Sequence, residues 1–361
     1  MSIKKLWLSA LLLTTTGFAY AQDNCVKLAE GGVIVATVDN KNQGKVNINL
    51  ENTDDWCAMQ FDLYLPKNVT LVQATRTNRL KYENDDEEIE NFNVERAEQT
   101  DGAWRFVIFN TKNVPVQEDG DNKGILTIRL VADDLVTTGL QKVEIKNVIL
   151  SNSVDTSSGT ATVTGFNAED TETNVTIKID AKIGEGGYGT FSWPRDVDFT
   201  GVEGVEEVYV AQGAAVNGWL HLDPIADKKV PAGTGVFIKG TAGATVNPET
   251  TTEEVAALSS TLGETSAEPY KAGDNVFALA TKNGKTALYP VTKGVEIPKY
   301  KAYMTGESGA KFISFGDTAT SIDALDMAEE DSDIYTLGGQ KVQKTTMKGV
   351  YIKNGQKVVV K

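Results

Sequence analysis

Between Gly44 and Lys67 the chain reads GKVNINLENTDDWCAMQFDLYLPK, two runs of alternating apolar and polar residues around a polar stretch. Val46, Ile48 and Leu50 alternate with Asn47, Asn49 and Glu51; Met59, Phe61, Leu63 and Leu65 alternate with Gln60, Asp62 and Tyr64. Successive strand side chains point to opposite faces, so each run has one face for a core and one for water or a partner. Pro66 cannot donate to a ladder and Asn68 favours a turn, so the second run stops there. The pattern predicts a hairpin inside a β-sandwich. A sandwich core by itself carries no particular chemistry.

More strands follow. Thr70–Thr75 precedes an acidic insertion, Glu83–Glu90, and then comes AWRFVIFN, with Trp104, Phe106 and Ile108 alternating with Arg105, Val107 and Phe109. A run that is apolar on both faces fits an interior strand. After the turn cluster DGDNKG, Leu126, Ile128 and Leu130 alternate with Thr127 and Arg129. Val143–Ile145 with Val148–Leu150 makes a strand or a bulged pair, and Val175, Ile177 and Ile179 close the series before GEGGYG.

The chain opens with Lys4 and Lys5, an apolar run to Leu13, and the small residues of Ala19-Tyr20-Ala21, the pattern of an export signal over residues 1–21 with Gln22 as the mature start. The run is short and broken by Thr14, Thr15 and Thr16, so no membrane span is predicted. Losing the two lysines takes the formal charge from −15 to −17, which disfavours nucleic acid and anionic membrane as partners. In an oxidising compartment Cys25 and Cys57 can pair, and a loop of that length contributes about 3–4 kcal/mol in the chain-entropy model. The alternative is two separate buried thiols. Two cysteines and one histidine are too few for a closed Cys/His zinc site.

The predicted organisation is all-β: a sandwich over 22–180, a second compact β domain over 184–316, a linker over 317–332 and a β tail over 333–361. The second domain is richer in Gly, Ala and Thr between short strands, from GYGTFSWP through Val205–Ala211, Trp219–Leu222, Val236–Lys239, Val276–Leu279, Leu288–Val291 and Ala302–Met304 to Phe312–Phe315. Thr251–Ser259 is compatible with one short helix. Pro231–Val236, PAGTGV, reads as a tight turn entering a strand; a phosphate loop would need a helix and a correctly spaced lysine after it.

Taken strand by strand, GKVNINLEN, AMQFDLYLPKNVTLV, WRFVIFN, DNKGILTIRLVAD and KVEIKNVILSN resemble the cohesin and cellulose-binding-module group of jelly-roll, Ig-like sandwiches over Val33–Val154. That resemblance implies a binding module, with a dockerin-like protein or a polysaccharide as partner. GYGTFSWP, DFTGVEGVEEVYVA, KKVPAGTGVFIKGTAG, EIPKYKAYM and FISF are similar to a C-terminal module of secreted proteins from gut-type anaerobic bacteria. The tail, DIYTLGGQKVQKTTMKGVYIKNGQKVVVK, resembles the closing half of a type IX secretion sorting domain, without its upstream half. Alternatively it adds strands to the second domain. These resemblances imply a secreted or outer-surface protein.

Candidate ligand contacts are Trp56, Tyr82 and Trp104, because aromatic faces stack on sugars and dominate interfaces. Asp119, Asp121 and Asn122 are candidate calcium ligands, although Lys123 and the missing late glutamate exclude an EF-hand loop. Asp317-Thr318-Ala319 matches a bacterial O-glycosylation pattern at Thr318. His221, in WLHLDP, has no serine or cysteine elbow beside it and reads as a solvent-facing strand residue. Adjacent carboxylates such as Asp54-Asp55 do not establish a glycosidase pair, whose separation is fixed by the sugar between them. No enzyme is predicted. The alternative to a binding module is a structural surface component without a specific soluble ligand.

Overall fold

Alternating runs become strands where neighbours meet their backbone donors and acceptors. The computed structural model describes residues 14–20, 24–38, 41–81, 91–117, 121–155 and 162–316, with strand segments 334–336, 341–342, 349–353 and 356–360. The chain divides into two compact units, Met1–Asp180 with Asn247–Thr251, and Ala181–Val246 with Thr252–Lys361. Among the described residues no helix is long and apolar enough to cross a membrane.

The first unit contains β1 (Thr14–Tyr20), β2 (Cys25–Leu28), β3 (Val33–Val35), β4 (Lys45–Glu51), β5 (Ala58–Tyr64), β6 (Val69–Arg76), β7 (Asn93–Glu98), β8 (Trp104–Phe109), β9 (Gly124–Ala132), β10 (Gly139–Ser151), β11 (Val154–Asp155), β12 (Thr162–Asn167) and β13 (Thr171–Lys178). One sheet runs β1-β12-β10-β5-β8-β7, with β13 also on β10, β3 on β13 and β11 on β12; the other runs β2-β4-β9-β6. Ile48, Leu50, Leu126, Ile128 and Leu130 of the smaller sheet, and Phe61, Leu63, Phe106, Ile108, Val143 and Ile145 of the larger, are each at most 1% exposed. Burying each such side chain contributes about 1.5–3 kcal/mol. Phe61 and Phe106, opposite each other across β5 and β8, stack at 5.0 Å.

The expected hairpin at Gly44–Lys67 is not one. β4 pairs with β2 and β9 in the smaller sheet, whereas β5 pairs with β8 and β10 in the larger. The connecting stretch crosses between sheets because its groups are met elsewhere. Asn24 Oδ1 accepts the Thr53 N–H at 2.9 Å and the Trp56 indole N–H at 2.9 Å, while the Cys57 N–H donates to Ser151 O at 2.9 Å. Behind it, the guanidinium of buried Arg79 donates to Gln117 O, Leu50 O, Lys123 O and Asn52 Oδ1.

The bulged reading of β10 holds. Its pairing with β5 shifts between Lys146 and Ile149, with Asn147 at φ 53° in the left-handed region that Asn tolerates. β8 is an interior strand as its two apolar faces require, flanked by β5 and β7. β1 falls inside the stretch read as an export signal and pairs in parallel with β12.

In the second unit, Tyr188–Phe191, Val236–Gly240, Val205–Val216, Trp219–Pro224 and Ser314–Gly316 form a five-stranded sheet in that order. Gly263–Glu264, Ala302–Thr305, Val276–Lys282 and Lys285–Pro290 form a four-stranded one. Their shared core includes Leu220, Leu222, Phe237, Phe277, Leu288 and Ile313. Thr251–Ser259 carries no helix: so short a segment needs a packed apolar face to hold helical bonds, and Thr251, Glu253 and Glu254 supply none. Pro231–Val236 is a turn, closed from the Thr234 N–H to Pro231 O at 3.2 Å with Gly233 at φ 68°, and it enters the strand Val236–Gly240. The tail forms an antiparallel sheet in the order Lys341–Val342, Ile334–Thr336, Gly349–Lys353, Gln356–Val360.

Candidate functional site

The side of β10, β5, β8 and β7 that faces away from the sandwich core carries an ordered polar network. Parity puts Met59, Phe61 and Leu63 inward, and Gln60, Asp62 and Tyr64 outward. Register then sets Asp62 opposite Arg105 on β8 and Lys146 on β10. Arg105 grips both oxygens of the Asp62 carboxylate, from Nε and from Nη2, each at 2.7 Å. Asn147, the extra residue of the β10 bulge, donates to Asp62 Oδ2 at 2.8 Å, while its own N–H donates to Asp170 Oδ1 at 3.0 Å. Asp62 is 2% exposed, and the planar fork of arginine satisfies a carboxylate at that depth better than a point charge does.

A second cluster stands beside it, with Lys146 in register with Asp62. Lys146 lies 5.3 Å over the Tyr64 ring and 3.0 Å from Glu144, which also meets Lys142 at 3.2 Å. Lys142 reaches Glu172 on β13 at 3.3 Å. Tyr64 donates its hydroxyl to Asp101 Oδ2 at 2.8 Å; that bond pushes the phenol up from its usual range and draws the carboxylate down. The side chains of Arg105, Lys142 and Lys146 keep 39%, 50% and 38% of their surface open to solvent. Beside the first cluster, Val107 and Gln60 are paired in register and both are buried. The face is thus pre-ordered and amphoteric, with its basic side chains open to solvent and Asp62, Gln60 and Val107 covered.

The residues singled out from sequence fall elsewhere. Trp56 is 4% exposed, its indole N–H satisfied by Asn24 and its ring 5.8 Å from Phe166, so it has no face to offer a sugar. Trp104 is half-buried with its parity toward the inner side, and Arg96 covers its ring at 5.5 Å. Arg96 also donates to Val72 O of β6 at 3.3 Å. Tyr82, Asp119 and Thr318 lie outside the described residues. Asn122 uses Oδ1 to accept the Gly124 N–H at 3.1 Å and Asp121 sits in the exposed turn before it; among the described residues no three metal-ligating side chains converge. His221 is exposed as its parity implies, with Nε2 2.8 Å from Asp223 Oδ1.

Cys25 and Cys57 do not form the expected disulfide: both are free thiols. Cys25 lies on β2 of the smaller sheet with Sγ 3.7 Å from Glu51 Oε2; Cys57 leads into β5 of the larger sheet with Sγ 3.4 Å from Asn113 Oδ1. Burial, and then Glu51, push the Cys25 thiol up, and burial pushes Cys57 up to about 11. Sequence reasoning missed Asp62, Arg105 and Asn147. The available signal was a carboxylate and a guanidinium, each set inside an otherwise apolar strand.

No protein-family model and no curated protein matches the chain. Among solved structures, a non-cellulosomal cohesin from Archaeoglobus fulgidus is 8% identical over 43% of this chain and 91% of that one, with a TM-score of 0.30. The CaCohA2 structure from Clostridium acetobutylicum is 15% identical, covering 45% and 96%, at 0.29. A cohesin–dockerin complex from Clostridium thermocellum gives 12%, 43% and 97%, at 0.30. Likenesses this distant assign no function.

Proposed function

We propose that the first unit is a non-catalytic protein-binding sandwich of an exported surface protein, and that the outward face of β10, β5, β8 and β7 receives the partner. One observation carries this reading: a sheet face on which Asp62, Arg105 and Asn147 are held in one polar cluster and Tyr64, Asp101 and Lys146 in a second beside it. Side chains ordered before binding lose little entropy on docking, and arginine and tyrosine are the residue types that dominate interface energetics. Charges of both signs side by side select register and exclude wrong partners.

The resemblance of Val33–Val154 to cohesins makes a dockerin-like protein domain the partner class. A polysaccharide is the alternative, and it is less well served, because Trp56 is buried and Trp104 lies under Arg96. The export signal and the sorting-like tail would display the module at the cell surface. Calorimetry of the whole mature chain against dockerin-type domains from the producing organism tests the site. Saturable binding that Lys146→Glu with Tyr64→Ala weakens at least tenfold, and that Thr75→Glu on the opposite sheet leaves unchanged, is the expected result. Binding insensitive to the face variant, or binding to polysaccharide alone, overturns it.

A further inference from the structure

The second unit has two hairpins whose two-residue loops read Asn-Gly. Val216 pairs with Trp219 around Asn217-Gly218, and Lys282 pairs with Lys285 around Asn283-Gly284. Both residues of each loop are left-handed, at φ 51° and 72° in the first and 49° and 77° in the second. That is the backbone a type I′ turn requires and that Asn and Gly tolerate. An Asn-Gly pair also carries its own nucleophile. The glycine nitrogen, with no Cβ beside it to obstruct the approach, can attack the side-chain amide carbon of the asparagine. The attack requires the asparagine ψ to rotate out of the turn, so its rate follows how readily the loop opens.

The two loops are held differently. Gly218 is half-buried, and its carbonyl accepts the Ser314 N–H at 2.9 Å, which pins the first loop to the neighbouring strand Ser314–Gly316. Asn283 and Gly284 are both exposed, and beyond its chain neighbours nothing lies within 4 Å of the position a Gly284 Cβ would take. Among the described residues no group bonds the Asn283 side chain, the Gly284 N–H or the Gly284 carbonyl. Directly behind this tip the stem is fixed: the Thr281 and Thr286 hydroxyls share a bond of 2.9 Å, and the Tyr289 hydroxyl donates to Lys285 O at 3.2 Å. A free tip on a fixed stem opens without unfolding the sheet. Asp101-Gly102 in the first unit is the opposite case, because the Asp101 carboxylate accepts the Tyr64 hydroxyl at 2.8 Å and the Ala103 N–H at 3.2 Å.

We propose that Asn283 is a self-modification site of the folded protein, converted to isoaspartate and aspartate ahead of Asn217. The Gly284 nitrogen bonds to Asn283 Cγ, the Cγ–Nδ2 bond breaks, and ammonia leaves with the proton of the Gly284 N–H. Water then opens the cyclic imide, at the backbone carbonyl to give isoaspartate or at Cγ to give aspartate. The new carboxylate falls between Lys282 and Lys285 in the chain, whose ammoniums lie 4.6 Å over the Tyr289 ring and 4.2 Å over the Phe312 ring. Modification thus adds one negative charge to a hairpin tip that carries two cations. The site does not depend on the partner of the first unit.

The test incubates the whole mature chain in mildly alkaline buffer, folded and in urea, and follows each Asn-Gly peptide by mass spectrometry, with electron-transfer fragmentation to separate isoaspartate from aspartate. Asn354-Gly355 lies outside the described residues and is scored separately. In urea both loops are open, so the ratio of the Asn283 rate to the Asn217 rate measures their intrinsic chemistry alone. Folding should raise that ratio at least about threefold, because it closes the pinned loop more than the free one. Isoaspartate and aspartate should both appear at position 283. A smaller rise or a fall in the ratio, or an Asn283 that converts in urea and not in the folded chain, overturns the proposal.

Discussion

Asp62 sits at 2% exposure with three donors on its two oxygens, so losing any of them leaves a buried carboxylate short of partners. Arg105→Ala should cost about 1–3 kcal/mol in urea unfolding; the half-open guanidinium screens the Coulomb part, and the desolvation of Asp62 remains. An unchanged midpoint would contradict the network. The thiols give a second test. Only the thiolate reacts, and burial holds Cys57 at about 11 and raises Cys25, so iodoacetamide at about pH 8 should label native Cys25 slowly and Cys57 only in denaturant. Rapid labelling of both thiols in the folded chain would contradict their placement. The parity of Phe61 and Leu63 already put Asp62 on the side away from the core. Its partners lie 43 and 85 positions along the chain, so the pairing exists only once register is set.

At the scale of elements, the strands that were legible are those whose apolar residues alternate, β4, β5, β8, β9 and β13. β7, NVERAE, is an edge strand of charged and small residues, a composition that guards an edge against stray pairing and leaves no period to read. The connection from β4 to β5 was misread because tight-turn composition and an inter-sheet crossing look alike until Asn24 is seen to meet Trp56. Asn24 leads directly into β2, and the next link fixes that strand's place. Glu51 on β4 lies 3.0 Å from Lys27 on β2 and 2.6 Å from Lys123 ahead of β9. Hydrogen bonds from Lys123 first, and then from Lys27, hold its carboxyl below the ordinary 4.5. A depressed folded value means the stabilisation is complete above that pH and is lost as pH falls through the lower folded value. Glu51→Gln should flatten the acid limb of stability against pH by about 0.5–1 kcal/mol while leaving its slope above pH 6 unchanged. An acid limb that keeps its slope would rule the clasp out.

For the whole molecule, one compact unit joins the segment ending at Asp180 to Asn247–Thr251, a return that no composition shift along the chain announces. Asn247 donates to Asp180 Oδ1 at 2.7 Å and to Ile179 O at 3.1 Å, while Thr250 and Thr138 exchange bonds at 2.8 and 3.0 Å. Side chains that far apart in sequence leave no local pattern, which is why the return was not legible. A fragment Gln22–Asp180 should therefore melt about 2–4 °C below the first-unit transition of the whole mature chain, as follows from losing about 1 kcal/mol in a domain of that size. Equal melting temperatures would mean the returning segment adds nothing. The formal charge of −15 disfavours nucleic acid, and the central claim is the proposal that the amphoteric sheet face receives a protein partner. The most direct measurement of that claim passes the producing organism's secreted proteins and cell-wall glycans over the immobilised mature chain and over its Lys146→Glu, Tyr64→Ala variant, identifying what each retains by mass spectrometry. One class of protein held by the first and released by the second is the predicted result; equal retention by both, glycan alone, or nothing would contradict it.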